Sequence, residues 1–148
     1  LQDAKSTTLS PADLSPELTK HFRGLRLWLP LKVHGVAPFR SCIREKLLLA
    51  KYFHQEIQKI DGFEVGPEPQ LSVVTYRFVP KQGDANAFNK ELIQRIHEDG
   101  RVFITSTTIN GLFTLRLAIL AFRTHKWTID LLLDILKEKA VEISNSYQ

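Results

Sequence analysis

The sequence predicts an α+β fold, an antiparallel sheet of about four strands covered by helices. Two observations carry this. Apolar residues recur at helical spacing in four separate segments, and runs rich in Val, Ile, Thr, Tyr and Phe stand between them, bounded by Gly, Pro, Asn and Asp. The resulting order is helix, helix, strand, strand, helix, strand, strand, helix, which suits a sheet with helices packed on it.

Residues 1–14 are polar and without period, and read as a flexible lead-in. Residues 15–36 read as a connecting helix, and 37–148 as a small compact domain. Ser15-Pro16-Glu17 has the chemistry of a helix start: a capping hydroxyl, a proline in the first turn, then an acid. The helix is expected to continue through Leu18, Phe22, Leu25 and Trp28, to kink or end at Pro30, and to close at Gly35. A second helix, from about Pro38 to Lys59, sets Ile43, Leu47, Ala50, Phe53 and Ile57 on one face. Asp61-Gly62 then turns the chain into FEV (63–65) and the β-prone LSVVTYRFV (71–79). GDANAF opens a third helix, with Phe88, Leu92 and Ile96 inward and Gly100 at its end. VFITSTTI (102–109), Asn110-Gly111 and LFTLRLAIL (112–120) form a hairpin signal, because Asn-Gly suits a type I′ turn. A last helix from about Lys126 to Ile143 turns Ile129, Leu132, Leu136, Ala140 and Ile143 inward.

At 148 residues, 43% hydrophobic and 24% charged, the chain fits one ordinary globular domain. No apolar run approaches the roughly 20 residues that span a bilayer. No signal-peptide h-region is visible in LQDAKSTTLS, so no membrane partner is expected. Cys42 is the single cysteine, which leaves no internal disulfide and fits a reducing, cytoplasmic setting. No methionine is present, so the chain reads as a piece of something longer. Between Glu17 and Lys59 nine Lys/Arg face three Glu, but these charges interleave with helical apolar positions. That pattern is a solvated helix face and predicts no nucleic-acid partner.

Most chemistry-bearing motifs are missing. His21, His34, His54, His97 and His125 lack ligand spacing, and one thiol cannot build a metal site. There is no G-x-S-x-G elbow and no Gly-rich phosphate loop. Two residues remain. In LFTLRLAIL, alternation puts Phe113, Leu115, Leu117 and Ile119 on one face and Thr114, Arg116 and Ala118 on the other. Arg116 therefore has room for a planar anion, and a guanidinium binds a carboxylate bidentately. The pattern equally allows an arginine paired with a structural Asp or Glu. Lys126 lies in His125-Lys126-Trp127, a tripeptide like the one that carries the Schiff-base lysine in some decarboxylases. With Thr124 as a cap, however, Lys126 falls in the first turn of an ordinary helix, with no phosphate cradle and nothing to lower its pKa.

Several motifs together resemble the C-terminal region of the pyridoxal-phosphate-dependent amino-acid decarboxylases, the aromatic-amino-acid and glutamate decarboxylase group. In HFRGLRLWLPLKVHGVAPFRSCIREKLLLAKYF, the residues Phe22, Arg23, Leu25, Trp28, Gly35, Ala50 and Phe53 fit the family's R-F-R-x-L-x-x-W segment and the two helices after it. FEV with LSVVTYRF, NKELIQRIHEDGRVFIT, NGLFTLRLAI and RTHKWTIDLLLDIL follow in register, so the resemblance covers roughly residues 13–140. Pro30 and Lys32 depart from it, standing where relatives have a Pro-free helix and an Arg.

The resemblance implies the small C-terminal domain of a type I fold enzyme. It would complete the substrate site of a homodimer that removes the α-carboxylate of an amino acid, with the pyridine ring as electron sink. It implies that the cofactor lysine belongs to an N-terminal large domain outside this sequence. Lys126 is then a decoy, and the fragment alone carries no catalytic residue, binds no cofactor and is inactive. Arg116 matches the small-domain arginine that sits by the substrate carboxylate. Leu1 corresponds to the residue after a catalytic loop tyrosine, which would make 1–14 the remnant of a mobile loop. The rival reading is a stand-alone α+β domain that uses the basic 20–59 region on an anionic partner. The apolar stripe Leu18, Phe22, Leu25, Trp28 argues instead for a partner domain.

Overall fold

The computed structural model describes Thr19 and residues 21–146. These fall into two compact units divided after Pro38. The lead-in 1–14 and the helix start at Ser15-Pro16-Glu17 lie outside the described residues.

In the first unit, α1 runs Leu25–His34. It begins later than expected: Phe22 lies before the helix, and Gly24 occupies the N-cap with no side-chain cap. Pro30 sits inside α1 and does not end it. Gly35 does, at φ 72°, with its N–H donated to the Leu31 carbonyl. That positive φ is open to glycine at little cost, so the terminator works where the proline does not. Phe22, Leu27, Trp28 and Val33 are exposed, and α1 buries no residue.

The second unit is built on a four-stranded sheet, order β1-β2-β4-β3, with every neighbouring pair antiparallel. Its strands are β1 Phe63–Val65, β2 Val73–Phe78, β3 Thr105–Ile109 and β4 Leu112–Ala118. Its helices are α2 Ala37–Ile57, α3 Ala85–Asp99 and α4 Lys126–Ser146. The α+β class and the strand count are those predicted.

The hairpin forms because Asn110 (φ 51°) and Gly111 (φ 79°) both take the left-handed conformation of a type I′ turn. That turn fixes Ile109 opposite Leu112 and, four pairs further on, Thr105 opposite Arg116. β3 is shorter than the expected 102–109 because Val102–Ile104 leaves the ladder, with the Ile104 carbonyl bonded to His97 Nε2 at 2.8 Å. Asp84 caps α3, accepting from the N–H groups of Asn86 and Ala87.

One face of the sheet is the core. Val74, Tyr76, Leu115 and Leu117 point into it, and Phe53 of α2 meets Tyr76 edge-on at 5.0 Å. α3 packs over β2 and β4, and α4 lies against α3, burying Ile129, Leu132, Leu136, Ala140 and Ile143 as expected. Of the stripe assigned to α2, Ala50, Phe53 and Ile57 are buried, Leu47 is half-buried and Ile43 is exposed. Lys46 and Leu49, outside that set, are buried as well, so the core-facing stripe is broader on one side than the apolar spacing alone marks.

Candidate substrate-facing site

Strand alternation gives the other sheet face its chemistry. Tyr76 and Leu115 point into the core, so Thr75, Arg77, Thr114 and Arg116 point away from it. Arg116 stands on an interior strand with Thr75 beside it on β2 and Thr105 beside it on β3. Its Nε donates to Thr105 Oγ1 at 3.0 Å, and that hydroxyl donates to the Arg116 carbonyl at 3.2 Å. The guanidinium is thus tethered at Nε on an exposed residue. Among the described residues no carboxylate pairs with Arg116.

Sequence reasoning passed over Arg77. Continuing the β2–β4 register, Arg77 stands opposite Thr114, diagonal to Arg116 on the same face. Glu64 is its ladder neighbour on β1. Its Nε is buried and has no hydrogen-bond partner among the described residues. The alternation of VVTYRF contained half of this signal. The missing half was the register that brings β2 beside β4.

Lys126 lies elsewhere, at the start of α4. Its Nζ donates to Asp130 Oδ2 at 2.8 Å and to Tyr52 Oη at 2.9 Å. The Asp130 carboxylate, then the Tyr52 hydroxyl, raise the Lys126 pKa above its ordinary 10.5. A lysine that must form a Schiff base needs the opposite shift, so this geometry does not fit a cofactor lysine. Lys126 belongs to a set of polar links joining α2 to α4. Tyr52 donates to Asp130 at 2.6 Å, and His125 Nδ1 meets Glu45 Oε1 at 2.7 Å. Lys46, only 5% exposed, places its three donors on Glu45 (2.9 Å) and the carbonyls of Phe122 (3.2 Å) and Thr124 (2.5 Å). Among the described residues no group of three or more His, Cys, Asp or Glu is placed to hold a metal ion. No described helix is long and apolar enough to cross a membrane.

Comparison with known proteins supplies the context. Residues 11–79 match the pyridoxal-dependent decarboxylase conserved domain. Tyrosine decarboxylase 2 of Arabidopsis thaliana is 34% identical over 118 residues, which is 78% of this chain and 22% of that protein. An aromatic-L-amino-acid decarboxylase of Bacillus atrophaeus is 34% identical over 137 residues, 88% of this chain and 28% of its own length. The crystal structure of Oryza sativa TDC with PLP and tryptamine superposes with a TM-score of 0.79 at 26% identity, covering 90% of this chain and 30% of that one. The chain therefore belongs to the pyridoxal-phosphate-dependent amino-acid decarboxylase family, and it spans about a quarter of the length of the curated relatives it matches.

Proposed function

We propose that this chain is the small C-terminal domain of a pyridoxal-phosphate-dependent decarboxylase acting on an aromatic amino acid, in the cytoplasm. It is completed by an N-terminal large domain and a second subunit. The division is a lead-in at 1–14, a connecting segment over 15–36 that carries α1, and the small domain from 37 onward. The observation that carries the reading is Arg116, an exposed residue held at one guanidinium nitrogen and with no carboxylate partner among the described residues, on a domain whose relatives are named as decarboxylases of aromatic amino acids.

In this role Arg116 binds and orients the substrate carboxylate. The Thr105 hydroxyl tethers Nε and so keeps the fork near one place on the sheet, and the interior strand holds the backbone beneath. Pyridoxal phosphate, seated in the large domain, supplies the electron sink. Lys126 stays protonated against Asp130 and serves the α2–α4 junction. A stand-alone domain using the 20–59 region on an anionic partner is not favoured, because the family match runs through that region.

The test is borohydride reduction of the purified protein, then mass spectrometry of every polypeptide present. A pyridoxyl adduct is expected on a lysine outside this sequence, and none on this chain alone. An adduct on Lys126 would overturn the reading. In the assembled enzyme Arg116→Ala should lower kcat/KM by roughly 10- to 100-fold, the value of one charge-assisted pair.

A further inference from the structure

Arg77 makes no close ion pair with any described residue, although Glu64 stands opposite it on β1. Its Nε is buried and unbonded, and Glu64, its ladder neighbour, makes no ion pair with it. With Nε closed off from solvent on a half-buried residue, the outer nitrogens of the fork are the donors that an incoming acceptor would meet. Its location says which kind. Diagonal neighbours on one sheet face stand about 7–8 Å apart, within reach of two arginine side chains converging on one small anion. Two guanidiniums at that separation repel each other, and an anion between them turns the repulsion into attraction.

We propose that Arg77 and Arg116 together form a two-arginine carboxylate site on the open sheet face, with Arg77 as the half-buried member, its Nε closed off from solvent, and Arg116 as the exposed one. This rests on the reading of Arg116 as the substrate-carboxylate residue and adds a second determinant to it. The two arginines divide the task by burial. Burial of Arg77 Nε limits the directions its fork can take, so Arg77 sets where the carboxylate sits. The exposed Arg116, tethered only through Thr105, closes on it. The ligand class is a small carboxylate whose remaining bulk projects off the sheet.

The experiment uses the assembled enzyme and two competitive inhibitors that each carry half of the substrate. 3-Phenylpropionate has the carboxylate and no amine, whereas phenethylamine has the amine and no carboxylate. Arg77→Gln is expected to weaken 3-phenylpropionate about 10-fold or more while moving phenethylamine less than about 2-fold. Arg77→Lys keeps the charge but loses the forked geometry, and should weaken 3-phenylpropionate by an intermediate factor, again without moving the amine. Equal effects on both inhibitors, or none on either, would overturn the proposal and leave Arg77 a structural residue. Arg116→Ala separates the two claims. If it weakens 3-phenylpropionate while both Arg77 variants do not, only the two-arginine site fails. If Arg116→Ala itself has no effect on the carboxylate inhibitor, the underlying reading of Arg116 fails.

Discussion

Replacing Lys46 with methionine tests how the second unit holds its last helix. Methionine keeps most of the aliphatic stem, so packing around the buried chain changes little and the perturbation is chiefly the loss of three donors. Two of those donors serve the carbonyls of Phe122 and Thr124, the residues that lead β4 into α4. Leaving a buried acceptor unmade costs about 1–3 kcal/mol, and both carbonyls are only part-buried, so about 1–1.5 kcal/mol each is the reasonable figure. The third donor reaches Glu45, whose carboxylate also holds His125. Relief of the ammonium's desolvation offsets that last contribution. The net expectation is a loss of about 2–3 kcal/mol, or roughly 5–10 °C in Tm for a chain of this size. Urea unfolding of the full chain would measure it, with the midpoint falling and the m-value unchanged. A Lys46→Met chain within about 0.5 kcal/mol of the wild type would refute the argument, because those carbonyls would then have no need of the lysine.

Two further outcomes follow from neighbouring geometry. A Cβ at Gly66 would run into Thr75 Oγ1, beside Arg116, so Gly66→Ala should destabilise by about 1–3 kcal/mol. Adding Thr75→Ala should restore most of that loss in a double-mutant cycle, whereas strictly additive effects would contradict the contact. The Tyr52–Lys126–Asp130 link predicts a pH window. Lys126, then Tyr52, hold the Asp130 carboxyl below its ordinary 3.8, so its contribution is complete above about pH 4 and fades as pH falls through the lowered value. Lys126 is raised above 10.5, so its share is complete below that pH and is lost at still higher pH. Carbon-detected titration of Asp130 in Tyr52→Phe should show its midpoint moving up toward 3.8, and an unmoved midpoint would refute the hydroxyl's part.

What could be read from the sequence was whatever the chain settles locally. Asn110-Gly111 dictates its own turn and therefore the β3–β4 register, and the five apolar positions named for α4 all face the core. The pairing of β2 with β4 is different in kind. It joins segments about 40 residues apart through core packing that no local pattern encodes, which is why Arg116 could be nominated and Arg77 could not. Lys46 escaped notice for a related reason. A lysine at a core-facing position is normally read as solvated, and its acceptors, the Phe122 and Thr124 carbonyls, lie 76 and 78 residues away. α1 starts later than its apolar spacing predicts because that spacing would carry the helix through Gly24, which instead forms its N-cap.

Because β4 is interior, the peptide groups beneath Arg116 are bonded on both sides, to β2 and to β3. They can be released only when the sheet itself separates, so deuterium should enter the Arg116 amide at the rate of global unfolding. The guanidinium above it sits on an exposed side chain, tethered at Nε, that reorients in picoseconds to nanoseconds. One residue thus spans the slowest and the fastest motions of the unit. A carboxylate arriving there meets a hand that searches quickly on an arm that does not move.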